Sequence, residues 1–167
     1  MRIGLSLFLG ATVLVGQAPA AKPDPFASLR FLVGTWQMVE GEGAAGKAGR
    51  GEFSLLPELG GNALIRRNFA EYPAQGDRPA FRHEDLMWVY PEDGKLKALF
   101  LDNEGHVIHY DVMAAGTGVV FQSSGAGPRF RLGYTPAGPD SLDLAFDIAA
   151  PGKEFGSYIR AKVRRKK

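Results

Sequence analysis

The chain of 167 residues contains no cysteine. That excludes disulfides, thiol nucleophiles, thiolate metal centres and lipid anchors on cysteine, so the fold must be held by its core alone. Histidine is scarce, with only His83, His106 and His109. Excess charge is also lacking: 20 Lys and Arg stand against 18 Asp and Glu, a net +2, which gives no general call for nucleic acid. Beyond Gly16 no stretch is long and apolar enough to cross a bilayer as a helix. None of the 22 glycines opens a helix after a glycine-rich loop, so a phosphate cradle of the P-loop kind is missing. No Gly-x-Ser-x-Gly elbow surrounds Ser123 or Ser124.

The first residues read MRIGLSLFLGATVLVGQAPA. Arg2 gives a positive start, Ile3 to Gly16 an uncharged apolar run, and Ala18-Pro19-Ala20 a small-residue cleavage site. This layout predicts a signal peptide over residues 1–20 and export to the periplasm or beyond the cell. Residues 21–24 then form a linker and residues 25–167 a single domain. The end, YIRAKVRRKK, reads as a solvated last strand with a short basic tail. Its charge also allows a weak contact with an anionic membrane surface.

Asp24-Pro25 is a helix-start signal, and Phe26 and Leu29 fall at helical spacing, which predicts a helix from Pro25 to Leu32 stopped by Gly34. From Thr35 the apolar period becomes two. Ten strands are expected: Thr35–Glu42, Arg50–Leu56, Ala63–Tyr72, Phe81–Tyr90, Lys95–Asp102, His106–Met113, Gly118–Ser123, Arg129–Thr135, Ser141–Ala149 and Glu154–Arg164. Most connections are short and rich in Gly, Asn, Asp and Pro, as hairpins require. No segment is long enough for a helical crossover, so the strands run antiparallel. A meander with one dry and one wet face leaves two exposed edges unless it closes. The expected fold is therefore all-β, a ten-stranded antiparallel up-and-down barrel with a short N-terminal helix.

A short helix, then Gly34-Thr35-Trp36 at the first strand, then a long meander resembles the calycin superfamily of lipocalins, fatty-acid-binding proteins and nitrobindin-like barrels. Gly41-Glu42-Gly43, Leu59-Gly60-Gly61 and Asp102-Asn103-Glu104-Gly105-His106 make the chain most similar to exported bacterial domains of unknown function. The resemblance implies that Trp36, with Gly34, plugs the closed end of the barrel. It also implies a basic residue of the last strand against the indole, for which Arg160 or Lys162 is positioned and Arg160 is the candidate. Nitrobindin-like barrels carry haem through a late-strand His. This sequence has no His after His109, so no haem or other cofactor is carried over.

A barrel of this width leaves room for a small ligand. The leading expectation is an exported binding protein that holds a small hydrophobic or amphipathic molecule. Arg67, His83, Trp88 and Tyr110 are its candidate ligand-binding residues. Of the adjacent Arg66 and Arg67, one is expected to point inward, where it would need a carboxylate or an anionic head group. Two alternatives stay open: an isomerase or hydrolase using a pocket His and carboxylate, and a cell-envelope interaction protein acting through its basic tail. No catalytic residue is assigned. His109 with Asp111 and His83 with Asp85 form the one pattern that could gather on a metal. No metal site is assigned either, because four such groups on separate strands seldom converge.

Overall fold

A computed structural model describes residues 23–43, 46–125 and 127–167. The expected signal peptide, residues 1–20, lies outside them, as do residues 21 and 22 of the linker.

The alternating segments form strands β1 (Gly34–Gly43), β2 (Gly46–Lys47), β3 (Arg50–Glu58), β4 (Ala63–Tyr72), β5 (Phe81–Glu92), β6 (Lys95–Asp102), β7 (Val107–Ala115), β8 (Gly118–Ser123), β9 (Arg129–Gly138), β10 (Ser141–Ala149) and β11 (Gly156–Arg165). Among the ten long strands each pairs antiparallel with its neighbour in sequence, and β11 pairs back onto β1. The result is the closed ten-stranded barrel that the pattern predicts, in which the first and last long strands pair with each other. The two-residue β2 was not expected. It folds back on the end of β1, pairing Glu42 with Lys47 and Gly43 with Gly46. β4, β6, β8 and β10 keep their expected limits, and the other long strands differ by one to three residues at an end.

The N-terminal helix is a 3₁₀ helix, Ala27–Leu32, and starts two residues late. Asp24 does not cap an α-helix. Its carboxylate accepts the Phe26 N–H at 3.0 Å and its carbonyl the Ala27 N–H at 3.3 Å, closing a turn ahead of the helix. So short a segment gains little from its own hydrogen bonds. It is kept in place by Leu29 and Leu32, which are buried in one end of the barrel.

That end is sealed by Trp36, which is 1% exposed. Its Nε1 donates to the Leu32 carbonyl at 2.8 Å. On its face lies the Arg165 guanidinium, with Cζ 4.2 Å from the ring centroid. Arg165 also donates to the carbonyls of Val33 (2.7 Å) and Phe31 (3.0 Å). The basic partner of the plug is therefore Arg165, and neither Arg160 nor Lys162. The register explains the correction. Trp36 stands opposite Arg165 across β1 and β11, whereas Arg160 stands opposite Glu42 at the far end. Gly34 is explained too. Its φ is +130°, and a Cβ there would lie 2.6 Å from Arg165 Nη1.

Inward from the plug, the core is a relay of rings. Phe53 packs on Tyr134 (5.3 Å), Tyr134 on Phe121 (6.1 Å), Phe121 on Tyr110 (6.4 Å) and Tyr110 on Phe100 (6.3 Å). Contacts of this kind add to the energy of burial and give the core a fixed shape. Phe53, Phe100 and Tyr110 of this relay, with Trp36, also border the open space of the barrel.

Candidate functional site

Above the rings lies a cavity of about 300 Å³. It reaches solvent at the end away from the plug, beside the exposed Glu104, His106 and Tyr158. Its two sides differ in chemistry. β9, β10 and β11 contribute an apolar side that includes Phe130, Leu144, Phe146, Ile148, Ile159 and Ala161. Phe130 and Phe146 stack with centroids 6.2 Å apart, and Tyr158 meets Phe146 edge-on at 6.0 Å. β4, β5 and the β6–β7 turn contribute a polar side: Arg66, Asn68, His83, Asp85, Asp102 and Glu104.

The polar side is organised around Asp85, whose side chain is 3% exposed. Arg66 Nη1 donates to its Oδ1, Asn68 Nδ2 to its Oδ2 at 2.7 Å, and His83 Nε2 lies 3.3 Å from the same oxygen. The other nitrogen of His83, Nδ1, lies 2.8 Å from Glu104 Oε1. The hydrogen bond to Asp85 raises the His83 pKa above its ordinary value, against the opposing effect of burial, and Glu104 adds to the rise. Burial alone would lower the Arg66 pKa, but the Asp85 charge together with Tyr134 and Tyr110 outweighs it and raises the pKa, so the guanidinium stays ionised. Arg66 Nε has no acceptor, and the buried Tyr134 hydroxyl has no hydrogen-bond partner among the described residues. That hydroxyl is close enough to Arg66 to feel its charge. Burial pushes Tyr134 up to about 12 and raises Tyr110 as well.

The β6–β7 turn is built by Asp102. Its Oδ1 accepts the backbone N–H groups of Glu104 (3.0 Å) and His106 (2.9 Å), and its Oδ2 lies 2.7 Å from His106 Nδ1. Burial would raise its pKa, but these hydrogen bonds outweigh it and hold the carboxyl below its usual value. The turn thus presents a carboxylate, Glu104, to His83.

Of the four residues expected to touch a ligand, His83 and Tyr110 line the cavity. Arg67 and Trp88 do not: Arg67 is exposed on the outer face and Trp88 is half-buried there. Strand alternation fixes this, because Arg66 takes the inward position on β4, and Met87 and Val89 take those on β5. The inward Arg meets a carboxylate, the first of the two partners the sequence demanded. His109 is exposed outside while His83 lines the interior, so the metal pattern read from the sequence is split across the wall. Asp85 entered the sequence reading only as a partner of His83, and Asn68, Asp102 and Glu104 were not singled out as site residues. The signals were present in the paired arginines and in the Asp-Asn-Glu-Gly-His turn.

Arg160 points outward and binds Asp147 at 2.5 Å, beside Arg131 at 2.9 Å. Lys162 pairs with Glu40, Arg165 with Asp140 and Lys166 with Glu52. Much of the basic charge at the C-terminus is thus met within the fold.

Fold and cavity together define the class: a closed up-and-down β-barrel, consistent with a calycin-like architecture, with an internal chamber open at one end. No family model matches the chain, and no curated protein does. Among solved structures it is similar to Rv2717c from M. tuberculosis, with a TM-score of 0.60 at 13% identity, over 90% of this chain and 99% of that one. It is also similar to the S-type phycobiliprotein lyase CPES from Guillardia theta, with a TM-score of 0.51 at 11% identity, over 82% of this chain and 89% of that one. A de novo designed fluorescence-activating β-barrel overlaps more loosely, with a TM-score of 0.44 at 14% identity, over 81% of this chain and 94% of that one. At such identities the likeness is one of fold.

Proposed function

We propose that the protein is an exported binding protein that holds one small amphipathic molecule in its barrel. The observation that carries the reading is the two-sided cavity of about 300 Å³, at the lower end of the range of small-molecule pockets. The apolar side would supply affinity by removing ligand surface from water, at about 25 cal/mol per Å². The polar side would fix the head group. An anionic head is disfavoured there. Arg66 is already neutralised by Asp85, and Asp102 and Glu104 stand nearby. A neutral head group, such as a carbonyl or hydroxyl, suits a side whose charges are already matched among themselves. The name of the phycobiliprotein lyase neighbour agrees with a role in handling another molecule. The signal-like N-terminus supports export.

Native mass spectrometry of the chain purified from its own host tests the proposal. A bound species of constant mass, or uptake of one component from a lipid extract, is expected. A bare chain that takes up nothing overturns it. The enzyme reading keeps one supporting observation, the His83–Asp85 pair inside the cavity. It requires an isomerase or hydrolase activity that His83→Ala removes and His109→Ala, on the outer wall, spares. The envelope-contact reading gains nothing from a basic terminus whose charges are largely paired.

A further inference from the structure

We infer that the mouth of the barrel binds a divalent first-row transition ion through His83, Asp102 and Glu104. One ligand atom from each lies within 4.8 Å of the other two. Neighbouring elements bring them together: β5 carries His83, β6 ends at Asp102, and Glu104 sits in the turn that follows.

The His83 ring faces carboxylates on both sides, Asp85 at Nε2 and Glu104 at Nδ1. A neutral imidazole carries one proton and can satisfy only one of them. With the ring proton directed to one of them, the other nitrogen presents a lone pair. Asp85 lies outside the ligand set and is anchored by Arg66 and Asn68. It holds the ring proton on Nε2 and leaves the Nδ1 lone pair on the side of Glu104 and Asp102. A buried carboxylate behind a ligating imidazole is the arrangement that orients histidines in metal sites.

The geometry needs little adjustment. Metal–nitrogen and metal–oxygen bonds of about 2.0–2.2 Å place tetrahedral ligand atoms about 3.4 Å apart. Glu104 Oε1, now 2.8 Å from Nδ1, would move back slightly, and its side chain, 53% exposed, has room to do so. Asp102 is 4% exposed and set by the turn, so it is a rigid ligand. Its Oδ2, which meets only the His106 ring, has a second lone pair free, whereas Oδ1 already accepts two backbone N–H groups. Two carboxylates neutralise a dication, and the imidazole favours zinc over calcium or magnesium, while the two carboxylates also accept manganese. Three protein ligands leave a fourth position, on the cavity side, for water or for the polar end of a guest. The site does not depend on what the apolar side of the cavity binds.

Isothermal titration of the EDTA-treated mature chain with ZnCl₂, MnCl₂ and CaCl₂ tests the assignment. One Zn²⁺ or Mn²⁺ per chain is expected, with a Kd of about 10 µM or tighter, and calcium at least about a hundredfold weaker. His83→Ala and Glu104→Gln should each weaken Zn²⁺ binding at least about tenfold, whereas His109→Ala should leave it unchanged. Glu104→Gln keeps the shape of an exposed turn residue, so an unaltered thermal melt separates lost ligation from lost folding. Broadening of the His83 ring resonances by substoichiometric Mn²⁺ gives a second readout. The assignment is overturned by the absence of saturable Zn²⁺ or Mn²⁺ binding, by calcium binding of equal strength, or by stoichiometric binding that His83→Ala and Glu104→Gln leave intact.

Discussion

Arg165 lies over Trp36, its guanidinium carbon 4.2 Å from the ring centroid, while two of its nitrogens hold the Val33 and Phe31 carbonyls. One side chain thus joins the last strand, the first strand and the end of the 3₁₀ helix. Truncation would lose a cation–π contact and leave two carbonyls short of donors. Arg165→Ala should lower stability by about 3 kcal/mol. Arg160→Ala, at a half-exposed side chain on the outer wall, leaves the buried Asp147 paired with Arg131 and should cost about 1 kcal/mol. Urea midpoints compare the two, and equal losses would deny Arg165 its place in the plug.

Arg66 and Asp85 form an ion pair whose side chains are 5% and 3% exposed. Removing either partner strands a buried charge, so Arg66→Met and Asp85→Asn should each cost about 3–5 kcal/mol. The double variant should cost less than the sum of the two by at least about 2 kcal/mol. Denaturant titrations of the three variants close the cycle. Additive losses would show that the two charges are satisfied independently.

The barrel was readable because most of its wall alternates cleanly. Leu142 and Leu144 against Asp143, or Phe130 and Leu132 against Arg129 and Arg131, announce one dry face and one wet face. What failed depends on polar residues inside. On β5, Arg82 and Glu84 face out and His83 and Asp85 face in, so charge marks both faces and composition cannot orient the strand. On β4 Ala63, Leu64 and Ile65 are apolar on both faces and buried with Arg66, so the pattern does not tell which of Arg66 and Arg67 points inward. The β1–β11 register is set by closure between strands more than a hundred residues apart, beyond the reach of any local pattern, so the choice between Arg160 and Lys162 missed Arg165. The two-residue β2 offers no period to detect.

Tyr134 is buried and its folded-state pKa stands at about 12, against about 10 for an unfolded chain. Below pH 10 both states keep the proton and the contribution to stability is complete. From pH 10 to about 12 the unfolded chain ionises first and stability falls, by about 1.4 kcal/mol for each unit of separation. Tyr110, raised by the same burial, acts in the same direction. Urea midpoints should therefore drop steeply above pH 10, and Tyr134→Phe should flatten the drop while leaving stability at pH 7 nearly unchanged. A midpoint independent of pH up to 11.5 would mean that these hydroxyls reach solvent.

Ala161 faces the cavity from β11, paired with Gly41 on β1 and Leu144 on β10. Ala161→Phe would add a ring of roughly 100 Å³ to a chamber whose free volume is of the same order, while a packed interior elsewhere cannot yield to it. Because the ring enters open space, it should change stability by no more than about 1 kcal/mol. The same ring should occupy the place of a guest, so uptake of the ligand identified from the host should fall at least about tenfold. Trp88→Ala, on the outer face of β5, should leave uptake unaltered. Fluorescence or mass-spectrometric titration of the two variants decides the matter: uptake that survives Ala161→Phe but not Trp88→Ala would move the binding site from the inside of the barrel to its outer surface.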